Sequence, residues 1–122
     1  MKVIKLDWMS ESAQEAELIV SDGKFECLVF SHPCHVQLNQ ILDEPLQVLT
    51  IKNLMLVKDP NENERIVKIE ESYFSHYCVA RVKDMENSIV SVGGILIEFS
   101  QIPSWAKEGD LVEFTCSRFD IW

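Results

Sequence analysis

The chain is predicted to be all-β: a small barrel or sandwich of about eight to ten short antiparallel strands with little helix. Three observations predict this. Apolar residues recur at every second position in one segment after another, turn-forming residues separate those segments, and no stretch carries an apolar stripe at i, i+3, i+4 and i+7 over three turns. With 122 residues, 47% of them hydrophobic and 25% charged, the chain is long enough for one core and too short for two, so residues 1–122 form a single domain.

The first strand is read from Ile4, Leu6 and Trp8, which share one side while Lys5 and Asp7 take the other. Residues 15–30 then form the clearest hairpin. Asp22-Gly23 suits a two-residue type I′ loop, because glycine adopts positive φ freely and aspartate tolerates it better than most residues. That loop sets Val20 opposite Phe25, Leu18 opposite Cys27 and Ala16 opposite Val29, all apolar pairs. The intervening pairs, Ile19 with Glu26 and Glu17 with Leu28, are mixed, as expected for a wet or partly covered face.

Residues 46–51 and 54–58 read as one bent strand interrupted at Lys52-Asn53. The polar stretch from Asp59 through Pro60 to Glu64 is then a turn into residues 65–70, making a second hairpin. Short helical turns are allowed at 36–42 and 72–76. Cys78, Ala80 and Val82 alternate with Val79, Arg81 and Lys83 before the turn Asp84-Met85-Glu86-Asn87, which leads into residues 88–92. Gly93-Gly94 is a bulge or bend; Ile95, Ile97 and Phe99 follow on one face, and Val112, Phe114 and Cys116 mark the last strand. Glu108-Gly109-Asp110 is a tight turn feeding that strand, a shape shared with the closing strands of small oligonucleotide-binding-type barrels. Residues 15–22 and 77–84 also resemble one another, so a pseudo-symmetric barrel of two halves is a further expectation.

Acidic residues outnumber basic ones by 20 to 11, a formal net charge of −9. Phosphate backbones and anionic lipid surfaces repel such a field, which disfavours nucleic acid and membrane and favours a basic protein partner. The charged N-terminal segment lacks the apolar run of a signal peptide, so a reducing cytoplasm is expected and the four cysteines read as thiols.

The one dense cluster of reactive side chains is Ser31-His32-Pro33-Cys34-His35. His32, Cys34 and His35, joined by His76, have the ligand chemistry for zinc; paired C-x-x-C spacing is missing, so no metal or other cofactor is expected. Cys34 beside His35 or His76 has the composition of a thiol nucleophile, without an orienting third group. Cys27, Cys78 and Cys116 fall on apolar faces and are core residues. Trp105 and Trp122, in a loop and at the end of the chain, are candidate partner anchors, although covering the ends of a barrel is the commoner role for tryptophan. Glu62 and Glu64 are candidate partner-facing carboxylates in the turn that follows Asp59.

The function expected from these features is non-catalytic: an interaction module whose acidic surface engages a protein, for instance an immunity-type inhibitor of a basic nuclease. The alternatives are a metal-binding protein or thiol enzyme built on the His32-Cys34-His35 loop, and an oligonucleotide-binding barrel using Lys52, Lys58, Arg65 and Lys68.

Overall fold

A computed structural model describes residues 1–59, 61–70 and 72–121, and among them all regular structure is strand. Nine strands follow in chain order: β1 (Lys2–Ser10), β2 (Glu15–Ser21), β3 (Glu26–Ser31), β4 (Leu46–Leu56), β5 (Arg65–Lys68), β6 (His76–Asp84), β7 (Ile89–Val92), β8 (Ile95–Glu98) and β9 (Leu111–Ile121). Strands β6, β7 and β8 form an antiparallel meander. Strand β8 meets β4 in parallel at Leu46↔Ile97, and β9 lies antiparallel to both β4 and β6, closing a five-stranded barrel in the order β9-β4-β8-β7-β6.

The remaining strands extend this ring. Strands β1, β2 and β3 make an antiparallel sheet that joins the barrel where Val29–Ser31 runs parallel to Phe119–Ile121, and β5 adds to the outer side of β6. Two of the pairings are therefore parallel, where only antiparallel ones were expected. The barrel takes one strand from before residue 60 and four from after it, so equal, pseudo-symmetric halves do not describe it.

Alternation explains the core. Ala16, Leu18 and Val20 on β2, Val29 on β3, Val90 and Val92 on β7, Ile95 and Ile97 on β8, and Val112, Phe114 and Phe119 on β9 are all buried. Phe99 meets Phe114 edge to face at 5.1 Å between ring centroids, a favoured aromatic arrangement.

The first hairpin has the predicted faces but a different register. Leu18 lies opposite Val29, not Cys27, and Val20 lies opposite Cys27. The central residues are Gly23 and Lys24, flanked by Asp22 and Phe25, with Gly23 at φ 99°. Asp22 causes the displacement. Its Oδ1 accepts the N–H groups of Lys24 (2.9 Å) and Phe25 (2.7 Å), while its Oδ2 accepts that of Gly94 at 2.6 Å, tying the hairpin tip to the β7–β8 turn. Partial burial pushes this carboxyl up, but the hydrogen bonds from Phe25, Gly94 and Lys24 outweigh it and leave its pKa below 3.8. Because side chains alternate with period two, a two-residue displacement keeps every one of them on its face.

Two further expectations change. In β1 the ladder slips between Val3 and Lys5, so Val3 is fully buried while Ile4 is exposed. Strand β4 is a single strand with an irregularity between Lys52 and Met55, where Asn53 has φ 56°, as the bend at Lys52-Asn53 foretold. It forms no hairpin with residues 65–70: β4 pairs with β8 and β9, and β5 pairs with β6. Residues 36–42 and 72–76 hold isolated turns closed by Gln40 N–H to Gln37 O and Ser75 N–H to Ser72 O.

Candidate functional site

His76 begins β6 at the point where β9 changes partners. Strand β6 pairs with β9 from Leu111 to Cys116, and β3 takes over at Phe119. The chain of β3 before Val29 therefore has no β9 neighbour, and the N–H of Leu28 faces the gap. His76 Nε2 accepts that N–H at 3.2 Å, and Nδ1 lies 3.0 Å from the Phe74 carbonyl, which requires the proton on Nδ1. The ring is 1% exposed and packs on Phe119 with 4.9 Å between centroids. Burial drives the imidazole pKa from 6.5 down to about 4; the Phe74 hydrogen bond opposes this and the Lys68 charge adds to it. His76 is thus a neutral acceptor that fastens the three-stranded sheet to the barrel.

Outside this joint, the outward face of β1–β3, Lys68 and Tyr73 enclose a groove of about 270 Å³ with His76 at its back. Ile19 and Leu28, opposite one another in the hairpin, supply apolar floor; Asp7, Glu17 and Glu26 supply carboxylates. Both lysines at the groove are already engaged. Lys5 lies 3.4 Å from Asp7, and Lys68 donates to the carbonyls of Ile69 and Ser72. Tyr73 is 57% exposed, and a hydrogen bond to Glu17 raises the pKa of its phenol above 10. The mixed pairs of the hairpin were the signal for this face, since their carboxylates stand among apolar neighbours; the contribution of Tyr73 had no signal in the sequence.

The other candidate residues are dispersed. Cys34 is buried, with its Sγ 3.8 Å from the Val36 carbonyl, while its neighbours His32 and His35 are exposed, and both His76 nitrogens have partners. Among the described residues no group of three His, Cys, Asp or Glu side chains converges on one point. Cys27, Cys78 and Cys116 are buried free thiols, as expected; burial pushes all three up, Cys116 to about 12, so they are held protonated.

Trp105 is half exposed in the β8–β9 loop, and Trp122 lies outside the described residues. Glu64 has an internal role: Oε1 accepts Gly93 N–H at 2.8 Å and Oε2 pairs with Arg81 Nε at 3.2 Å, which anchors the same turn that Asp22 holds. Glu62 pairs with Arg65 at 3.4 Å. No helix among the described residues is long and apolar enough to cross a membrane. Set against family models, curated proteins and solved structures, the chain has no match.

Proposed function

We propose that this chain is a non-catalytic interaction module of the reducing cytoplasm that takes a basic segment of a protein partner into the groove between β1–β3 and Tyr73. The observation that carries the reading is the composition of that groove. An apolar floor of Ile19 and Leu28 is bordered by Glu17 and Glu26, while Asp7 holds Lys5 in an ion pair and Lys68 is tied to backbone carbonyls. A lysine or arginine side chain fits such a site by laying its methylenes on the floor and its charge among the carboxylates. An inhibitor of a basic nuclease is one partner class that matches, because its carboxylates would stand where phosphates bind.

The test is binding of a fluorescent arginine-rich peptide to the protein and to two doubly neutralised variants. Glu17→Gln with Glu26→Gln changes the groove, and Asp43→Asn with Glu44→Gln makes an equal change of charge elsewhere. Binding weakened only by the first pair supports the reading. Equal weakening by both, or none by either, refutes it.

The barrel's connectivity favours a second reading. Counted from β6, the ring strands pair first with second, second with third, third in parallel with fifth (β4), fifth with fourth (β9) and fourth with first. That is the pairing of an oligonucleotide-binding-type barrel, with the strand that ends such folds placed at the beginning. On its customary binding face, the second and third strands, Ile89, Leu96 and Glu98 are partly exposed here and Ser91 is buried. Those residues offer neither stacking rings nor positive charge. Arg65 is paired with Glu62 and Lys68 with backbone carbonyls, so the interaction reading leads. Titration with single-stranded oligonucleotides at low salt separates the two.

A further inference from the structure

We infer that two copies of this chain pair through the free edge of β1, with Leu6 of each on the two-fold axis. Strand β1 is the last strand at one end of the sheet. Residues 39–42 cover its beginning: Val3 N–H donates to Gln40 O at 3.0 Å, and Val3 O accepts Asn39 N–H at 2.7 Å. From Lys5 to Ser10, β1 pairs only with β2 among the described residues.

Those Val3 bonds also settle which groups are free. Both backbone groups of Val3 point away from β2, so the Val3–Val20 pair exchanges no hydrogen bonds and Val20 turns toward β3. Alternation along β2 then turns Leu18 and Ala16 toward β3 as well. Their opposite residues on β1, Leu6 and Trp8, must direct N–H and C=O to the open edge. The side chains of Leu6 and Trp8 lie on the sheet face that packs on the core. There Leu6 is half-buried and Trp8 remains 44% exposed. An edge with free hydrogen-bonding groups and an incompletely covered apolar row is a template for another strand.

Charge selects a second copy as that strand and fixes the register. The chain carries −9, yet β1 holds Lys2, Lys5 and Asp7, so this edge is where two acidic copies can meet without like-charge contact. Antiparallel pairing of outward-directed residues allows only registers that match Leu6 or Trp8 with an equivalent. Centring on Lys5 or on Asp7 sets like charges face to face, and centring on Trp8 sets Asp7 opposite Met9 and Leu6 opposite Ser10, with no ion pair between the two β1 strands. Centring on Leu6 places Lys5 opposite Asp7 of the second copy twice, so that the Lys5–Asp7 ion pair within each chain joins its equivalent in one network of four alternating charges; it also exchanges two backbone hydrogen bonds between the Leu6 residues and sets Ile4 opposite Trp8 of the second copy. The interface is isologous, as a two-fold axis demands, and the sheet continues from one copy into the other.

The test is sedimentation equilibrium of the full chain and its charge variants, with far-ultraviolet circular dichroism to verify folding. Wild type is expected at twice the 14.1 kDa chain mass. Asp7→Lys and Lys5→Asp each set like charges across the axis, and each should weaken dimerisation roughly tenfold. An equimolar mixture of these two variants restores both opposite-charge pairs and should restore the dimer. Amide exchange at Leu6 and Trp8 should be slow in wild type and fast in Asp7→Lys. A wild type that stays monomeric at the highest attainable concentration overturns the inference, as does a dimer that neither variant weakens or that the mixture fails to restore.

Discussion

Acidification from neutral pH should destabilise the fold through one side chain, His76. Its native pKa of about 4 lies below the ordinary 6.5 because the neutral ring is buried and accepts the Leu28 N–H, whereas in the unfolded chain it titrates freely. The sign follows from proton counting. Between these two values the unfolded state binds a proton that the native state refuses, so stability present in full above pH 6.5 is lost as pH falls toward 4. At about 1.4 kcal/mol per pKa unit, the displacement corresponds to about 3 kcal/mol, a sizeable part of a small domain's stability.

Carboxylates whose native pKa is depressed, Asp22 and Asp84, act below about 3.8 and leave this window to the histidine. Urea unfolding at fixed protein concentration, repeated across the window, measures the slope. The comparison is His76→Gln, whose amide offers an acceptor toward Leu28 and a donor toward Phe74 without titrating. That variant should be about 1–2 kcal/mol less stable at neutral pH and nearly flat across the window. A wild-type profile that is also flat, or a variant that keeps the wild-type slope, would refute the assignment of His76 as the neutral acceptor at the joint.

Other substitutions probe separate parts of the argument. A Cβ at Gly93, which has φ 58°, would stand 2.5 Å from Asp22 Oδ2 and 2.8 Å from the Phe25 ring, so Gly93→Ala should lower the melting temperature far more than Gly23→Ala. Gly23 has φ 99° and open space around it, so only the backbone penalty of about 1 kcal/mol applies there. Asp22→Ala releases three backbone N–H groups and should cost about 2 kcal/mol by urea denaturation, with little change at Asp84→Ala, which anchors only its own turn. Phe119→Ala opens a cavity beside the His76 ring and should cost about 3–5 kcal/mol in the same assay. The buried, protonated thiols of Cys27, Cys78 and Cys116 should react with a disulfide reagent only as fast as the protein opens, so native labelling rates should track unfolding and rise with urea.

The extended segments and their buried faces were legible because period-two alternation is local information: Ala16, Leu18 and Val20 declare their side without reference to any partner. The bend in β4 was legible for the same reason, since Lys52-Asn53 interrupts an apolar run. Register was not. Asp22-Gly23 is compatible with two hairpin loops, and the choice between them rests on Gly94, 72 residues distant, whose N–H donates to the Asp22 carboxylate. Partner choice was equally hidden. Leu46 to Leu56 looked like half of a local hairpin, but the available neighbour was β9, whose 11 residues form a long apolar-faced ribbon near the end of the chain.

His76 shows why residue type alone could not locate the site. In the sequence it was a ring nitrogen available for a metal or a thiol, grouped with His32, Cys34 and His35 because such side chains share a chemistry. In the fold its companions are Leu28 and Phe74, two residues whose backbone groups carry no trace in a composition. The need for an acceptor arises because β3 meets β9 only from Val29 onward, which strands the Leu28 N–H just before the branch. Once that branch exists, a neutral imidazole is well suited to it: the ring is long enough to reach across from β6, one nitrogen can be fixed as donor while the other accepts, and its faces pack on Phe119. The groove lined by β1–β3 lies in front of this branch, with His76 at its back. A side chain grouped in the sequence with metal and thiol chemistry therefore stands at the groove's back wall as a structural acceptor, and the proposed recognition of a basic segment rests on Glu17 and Glu26 beside Tyr73.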